Sequence, residues 1–61
     1  MLKIYGLTAN RAQLLANTAQ ADDIEAARLI ADLYIRRGLI ARICREGATG
    51  RDEVLEERAP T

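Results

Sequence analysis

The sequence has no histidine, serine, tryptophan or phenylalanine, and it has only one cysteine, Cys44. Without histidine, the usual general base near neutral pH is missing. Serine, a common nucleophile, is absent, and the apolar sequence context of Cys44 is one that raises a thiol pKa and lowers its reactivity. A lone cysteine can close neither an intrachain disulfide nor a zinc site, which needs four ligands. We therefore expect no enzymatic activity, no metal and no other cofactor.

An excess of charge of one sign is also absent, because nine basic and nine acidic residues leave the 61-residue chain with no net charge. A protein that coats nucleic acid or an anionic membrane needs a clear basic excess. Long uncharged apolar runs are missing as well, since charges such as Glu25, Asp32, Arg36 and Arg42 interrupt the central stretch. We expect neither a membrane span nor a signal peptide, and the single cysteine favours the reducing cytoplasm.

The first residues that favour a regular structure are 2–7, which predict a short extended segment. In such a segment Leu2 and Ile4 would face one side, and Lys3 and Tyr5 the other. A single strand is not stable without a neighbour. Since no other convincing strand follows in the sequence, we expect its partner strand to come from a second copy of the chain.

Two helices are predicted after this segment. Thr8 is a good N-cap for a first helix over residues 9–19. Asp22 followed three residues later by Glu25 resembles a capping box, and this pair predicts the start of a second helix over residues 22–46. The short link between the helices requires them to lie antiparallel or at a sharp angle.

The end of the second helix has two interpretations. Residues 36–38, Arg-Arg-Gly, are typical of a C-terminus. Residues 39–44 nevertheless continue with helical spacing, and Gly47 is an equally good stop. We favour a helix that runs to residue 46 and bends at Gly38, where glycine costs about 1 kcal/mol relative to alanine. The polar tail, residues 47–61, is then expected to be disordered or to form a short helix.

These elements predict a mainly all-α fold, a helical hairpin in one domain over residues 1–46 with the tail beyond it. A chain of 61 residues is only marginally stable alone, and association is the stabilising device that remains without disulfides or metals. The second helix has more apolar surface than the first can cover, so we expect a homodimer packed through it. The predicted interface comprises Leu29, Ile30, Leu33, Tyr34, Gly38, Ile40 and Ala41.

The function predicted first is a small non-enzymatic protein–protein interaction module that acts as a dimer. It would serve as an adaptor, inhibitor or assembly factor, with itself and another protein as partners. Another possibility that stays open is a structural role, in which residues 2–7 add a strand to the sheet edge of a neighbouring subunit.

The alternative is DNA binding, because the order of extended segment, helix, turn and longer helix resembles the ribbon-helix-helix family of repressors and antitoxins. The resemblance covers residues 2–37. It implies that two copies pair residues 2–7 as a ribbon in the major groove, with Lys3 and Tyr5 directed at base edges. Asp22 and Asp23 depart from the family pattern, because they place negative charge where phosphates would be contacted.

Overall fold

The chain forms one antiparallel sheet of four strands with a single helix on one face, in a computed structural model that describes residues 1–8, 13–47 and 50–60. The elements are β1 (Leu2–Leu7), β2 (Gln13–Ala21), α1 (Ile24–Arg36), β3 (Ile40–Glu46) and β4 (Asp52–Arg58). For residues 13–17 the description is of the backbone alone. The strand order is β2-β1-β3-β4. The predicted all-α helical hairpin is therefore wrong, since the described residues are mainly strand.

β1 lies in the interior of the sheet and is paired on both edges. Leu2 and Ile4 are buried while Lys3 and Tyr5 are half-buried, as the alternation in the sequence predicts. β1 pairs with β2 along one edge and with β3 along the other. The expectation that its partner strand would come from a second copy is wrong, because both neighbours belong to the same chain.

α1 begins at Ile24 instead of residue 22, and its N-cap lies one residue later than the sequence predicts. Asp23, with extended backbone angles, is the N-cap, and its Oδ1 accepts a hydrogen bond of 2.8 Å from the Ala26 N–H. This bond satisfies one of the amide groups that the first turn of a helix leaves without a partner. Glu25 follows in the first turn, where the helix dipole favours an acidic side chain.

α1 ends at Arg36, so the prediction of a helix that continues to residue 46 is wrong. Gly38 takes a φ of 81°, and its N–H donates to the Ile35 carbonyl at 3.0 Å. The N–H of Leu39 donates to the carbonyl of Tyr34, also at 3.0 Å. These two bonds form a Schellman motif, which stops a helix and needs a residue in the left-handed region. The alternative stop at residues 36–38 is thus the correct one.

The core lies between α1 and the sheet. Ala27 and Ala31 have no exposed surface, and the helix contacts β3, β1 and β2. Small residues on this side let the helix axis come close to the strands. The buried cluster comprises Leu2, Ile4, Ala21, Ala27, Ala31, Tyr34, Ala41 and Ile43. Tyr34 and Ala41, which the sequence places in a helix–helix interface, therefore belong to the core between the helix and the chain's own sheet.

Three further segments differ from the predicted elements. β2 replaces the described part of the first predicted helix, whose beginning at residues 9–12 lies outside the described residues. β3 replaces the second half of the long helix, and β4 replaces the disordered or helical tail. Helical propensity is weak compared with sheet pairing, and each of these segments is paired with a neighbouring strand.

Candidate interaction surfaces

The outer face of α1 carries the most exposed apolar side chains of the helix. Leu29 is 69% exposed and Leu33 is 53% exposed. The two residues are four positions apart, so they lie one above the other on the same side of the helix. Because the sheet covers the opposite side, where Ala27 and Ala31 are buried, this pair faces away from the core.

Charged residues flank this leucine pair, acidic before it and basic after it. Asp22 and Glu25 are exposed near the beginning of α1, and Arg36 and Arg37 are exposed near its end. None of the four forms an ion pair with any other residue that the structure describes. We call the surface formed by these four residues with Leu29 and Leu33 the helix face.

The sheet surface opposite α1 is polar and contains one buried thiol. Tyr5 of β1 lies opposite Arg42 of β3, and its hydroxyl donates a hydrogen bond of 2.8 Å to Oδ2 of Asp52 in β4. Cys44 lies opposite Lys3 on one side and opposite Val54 on the other, and only 2% of its surface is exposed. The free thiol is therefore covered by its neighbours in the sheet.

On this surface the environment raises the pKa of two groups, the Tyr5 phenol and the Cys44 thiol. Burial, the hydrogen bond to Asp52 and the negative charge of Asp52 together raise the pKa of Tyr5 to about 12. Burial, followed by the charge of Asp52, raises the pKa of the Cys44 thiol, although Arg42 opposes that shift. Both groups are therefore neutral at pH 7, and a neutral thiol is a poor nucleophile.

β4 is joined to the rest of the protein by ion pairs that the sequence pattern did not predict. The sequence suggests that Arg28 and Asp32 belong to a row of charges that pair along the helix. In the structure Arg28 instead pairs with Glu56 at 3.1 Å, and Asp32 pairs with Arg58 at 2.9 Å. The acidic composition of residues 52–57 indicates that this segment forms ion pairs, but it does not identify the arginines that pair with it.

The predicted interface residues fall into different environments. Leu29 and Leu33 are exposed on the helix face, while Ile30 and Ile40 are half-buried. Tyr34 and Ala41 are buried in the core, and Gly38 is exposed in the turn after α1. The structure thus separates a set that the sequence placed on one surface. Of the apolar side chains in this set, the two leucines are the ones that remain mostly exposed and available to a partner.

The residues proposed for DNA contact lie on the polar sheet surface. Lys3 and Tyr5 are half-buried there, and the Tyr5 hydroxyl is already bonded to Asp52. Because β1 is paired on both edges, it cannot also pair with β1 of a second copy. The same arrangement prevents β1 from adding to the sheet edge of a neighbouring subunit.

The described residues offer no other obvious binding site. They contain no cavity and no group of three or more side chains that could hold a metal ion. The helix found among them is too short and too polar to cross a lipid bilayer. No family model, curated protein or solved structure matches the chain. The two surfaces described above are therefore the basis for any functional conclusion.

Proposed function

We propose that the protein is a non-enzymatic protein–protein interaction module that forms a homodimer through the helix face. The observation that carries the proposal is the exposure of Leu29 and Leu33, between acidic and basic residues that have no ion-pair partner among the described residues. Burying a leucine side chain in full is worth about 1.5–3 kcal/mol. Covering both leucines therefore provides a driving force for association that the folded chain alone does not use.

The charge order of the helix face favours a second copy as the occupant. If two α1 helices pack antiparallel about a twofold axis level with Ala31, Leu29 of one copy lies opposite Leu33 of the other. Glu25 then lies opposite Arg37 of the second copy. A parallel arrangement would instead bring like charges together, which is unfavourable. The surface is therefore self-complementary in one orientation, as a twofold interface requires.

The size of the chain bears on the strength of this dimer. A specific interface buries at least about 1,000 Å² in total, which is about 500 Å² from each partner. The whole chain exposes 4239 Å², so about one eighth of its surface would be covered. Interfaces below about 1,200 Å² are typical of weak, transient complexes, so we expect a dissociation constant in the micromolar range. Cys44 is a free thiol, which fits a role in the reducing cytoplasm.

The test is the oligomeric state of three chains by sedimentation equilibrium between about 1 and 300 µM, a range centred on the expected affinity. The native chain is expected to pass from monomer to dimer. Leu33→Lys is expected to stay monomeric and folded, because Leu33 is mostly exposed. Leu55→Lys is the matched control, because it changes an exposed leucine on β4 instead, and it should dimerise like the native chain. A native chain that stays monomeric throughout would refute the homodimer.

Charge exchange tests the antiparallel orientation. Glu25→Arg and Arg37→Glu should each weaken the dimer, because each places like charges opposite one another. The double variant should recover most of the affinity, since the pairs are then reversed in sign but again opposite. If the double variant is as weak as the two single variants, the antiparallel arrangement is wrong even if the leucines do form the contact.

A further inference from the structure

β4 has almost no buried surface. Glu56 is its only half-buried residue, and Val54 and Leu55 are 50% and 40% exposed. Apolar packing therefore contributes little to the position of this strand. Backbone pairing with β3 and polar side-chain contacts must hold it instead.

Three of the four ion pairs between β4 and the other described residues have the acidic partner on β4. Acidic residues of β4 meet arginines of α1 and β3: Glu53 lies 2.6 Å from Arg45, and Glu56 lies 3.1 Å from Arg28. A third pair, Glu57 with Arg42, is longer at 3.6 Å. In the reverse sense, Arg58 of β4 pairs with Asp32 of α1 at 2.9 Å. Without β4, the outer edge of β3 would be exposed beside three arginines, Arg42 and Arg45 of β3 and Arg28 of α1.

β3 does not depend on β4 for its own position. It pairs with β1 over six positions, from Leu2 to Leu7. Ala41 and Ile43 belong to the core under α1 and are each 1% exposed. If β4 detached, β3 would therefore stay in place, and it would present unpaired backbone groups beside the arginines.

We propose that the outer edge of β3, together with Arg28, Arg42 and Arg45, is a binding site for an extended acidic strand, and that β4 of a second copy can replace the chain's own β4 there. β4 itself shows the chemistry that the site accepts, because its own acidic residues already pair with these arginines. Strand addition supplies the backbone hydrogen bonds, and the arginines select an acidic segment. This interface is separate from the helix face and does not require it.

Complementary charge reversal can distinguish exchange between copies from pairing within one chain. One variant, Arg28→Glu with Arg45→Glu, reverses the receiving edge. A second, Glu53→Arg with Glu56→Arg, reverses the strand. In each variant the two changed ion pairs between β4 and its own chain become contacts of like charge, whereas a 1:1 mixture brings opposite charges together when each β4 pairs with the other chain. A third chain that carries all four substitutions restores pairing within one molecule and serves as the control for folding.

Cys44 provides the first readout, because it lies opposite Val54 of β4 and is the only thiol in the chain. Its reaction with a disulfide reagent should be about fivefold or more faster in each reversed variant than in the native chain. The four-substitution chain should react as slowly as the native one. Urea-unfolded protein gives the upper limit of the rate.

The mixture is the deciding measurement, with Leu33→Lys present in all chains so that the helix face does not contribute to the mass. Protection of Cys44 on mixing, together with a species of twice the mass in sedimentation, is the result expected from strand exchange. Fast labelling after mixing would overturn the proposal, as would protection without the dimer mass. Slow labelling of the separate reversed variants, or fast labelling of the four-substitution chain, would show that the charges do not hold β4, and this too would overturn it.

Discussion

Tyr5 connects the interior of the sheet to its outermost strand. Its hydroxyl reaches over β3 and donates to Asp52, so a side chain of β1 holds the beginning of β4. The bond exists only while the phenol keeps its proton, because two negatively charged oxygens would repel each other. Burial is the largest cause of the raised pKa of Tyr5, about 12, and the hydrogen bond to Asp52 and the negative charge of Asp52 raise it further.

We predict that Tyr5 makes the protein lose stability at high pH. The folded-state pKa of about 12 lies above the ordinary value of 10.0. The contribution of the protonated phenol is therefore fully present below pH 10 and is lost as the pH rises through about 12. Titration of phenolate absorbance, with circular dichroism to monitor the fold, should show a midpoint near this value for Tyr5.

Two variants test whether that titration midpoint belongs to Tyr5 and whether Asp52 causes it. Tyr5→Phe should remove it and leave the titration of Tyr34, whose pKa is also raised by burial. Asp52→Ala should lower the Tyr5 pKa towards 10, because both the hydrogen bond and the carboxylate charge are lost. If Asp52→Ala leaves the midpoint unchanged, burial alone causes the shift and the bond to Asp52 is energetically unimportant.

At the level of the secondary-structure elements, the helix shows which parts of the fold can be predicted from sequence. The spacing of Leu29, Leu33 and their neighbours predicts a helix because it is a local pattern. Its two ends are also encoded locally, by an Asx cap and by Gly38. The predicted N-cap, Asp22, is one residue too early, and the observed end was one of the two predicted alternatives. Hydrogen bonds between residues three to five positions apart determine both ends.

Three of the four strands, β2, β3 and β4, were missed because long-range pairing determines them. Ile43 and Cys44 are adjacent and both buried, Ile43 in the core under α1 and Cys44 outside that cluster. Two consecutive buried residues remove the alternation by which a strand is recognised. In β4 five of seven residues are charged. Acidic residues are uncommon in strands in general. They suit an exposed edge strand, however, because charge opposes unwanted pairing with other chains. Of the candidate site, the sequence identified the leucines but not the arginines that meet β4.

The two aspartates before α1 provide a prediction at this scale. Asp23→Ala should lower the free energy of unfolding by about 0.5–2 kcal/mol, because the Ala26 N–H loses its acceptor. Asp22→Ala removes the same side chain one position earlier and should change stability by less than about 0.5 kcal/mol. Urea unfolding of the two variants measures the difference. Equal losses, or a larger loss for Asp22→Ala, would show that Asp22 caps the helix, as the sequence first suggested.

For the whole molecule, the distribution of buried side chains predicts an order of local stability. Among the residues whose side chains the structure describes, β1 and β3 contribute the large side chains that are almost completely buried, Ile4, Leu7, Ile43 and Cys44, whereas β4 contributes none. A chain of this size has no second core that could hold the outer strand independently. Its sheet should therefore not open as a single unit, because the strand held by exposed ion pairs can detach at lower cost than the central pair.

Native-state hydrogen exchange measures this order directly. The amides of β4 that bond to β3 should exchange about tenfold or more faster than those between β1 and β3, because opening β4 exposes little apolar surface. Added salt should widen the difference, since it screens the ion pairs of β4 but hardly affects the core under α1. Leu55→Lys should not alter the order, because Leu55 is already partly exposed. Equal protection across the three strands, with no effect of salt, would mean that β4 is an integral part of the core, and the exchange of β4 between copies would lose its physical basis.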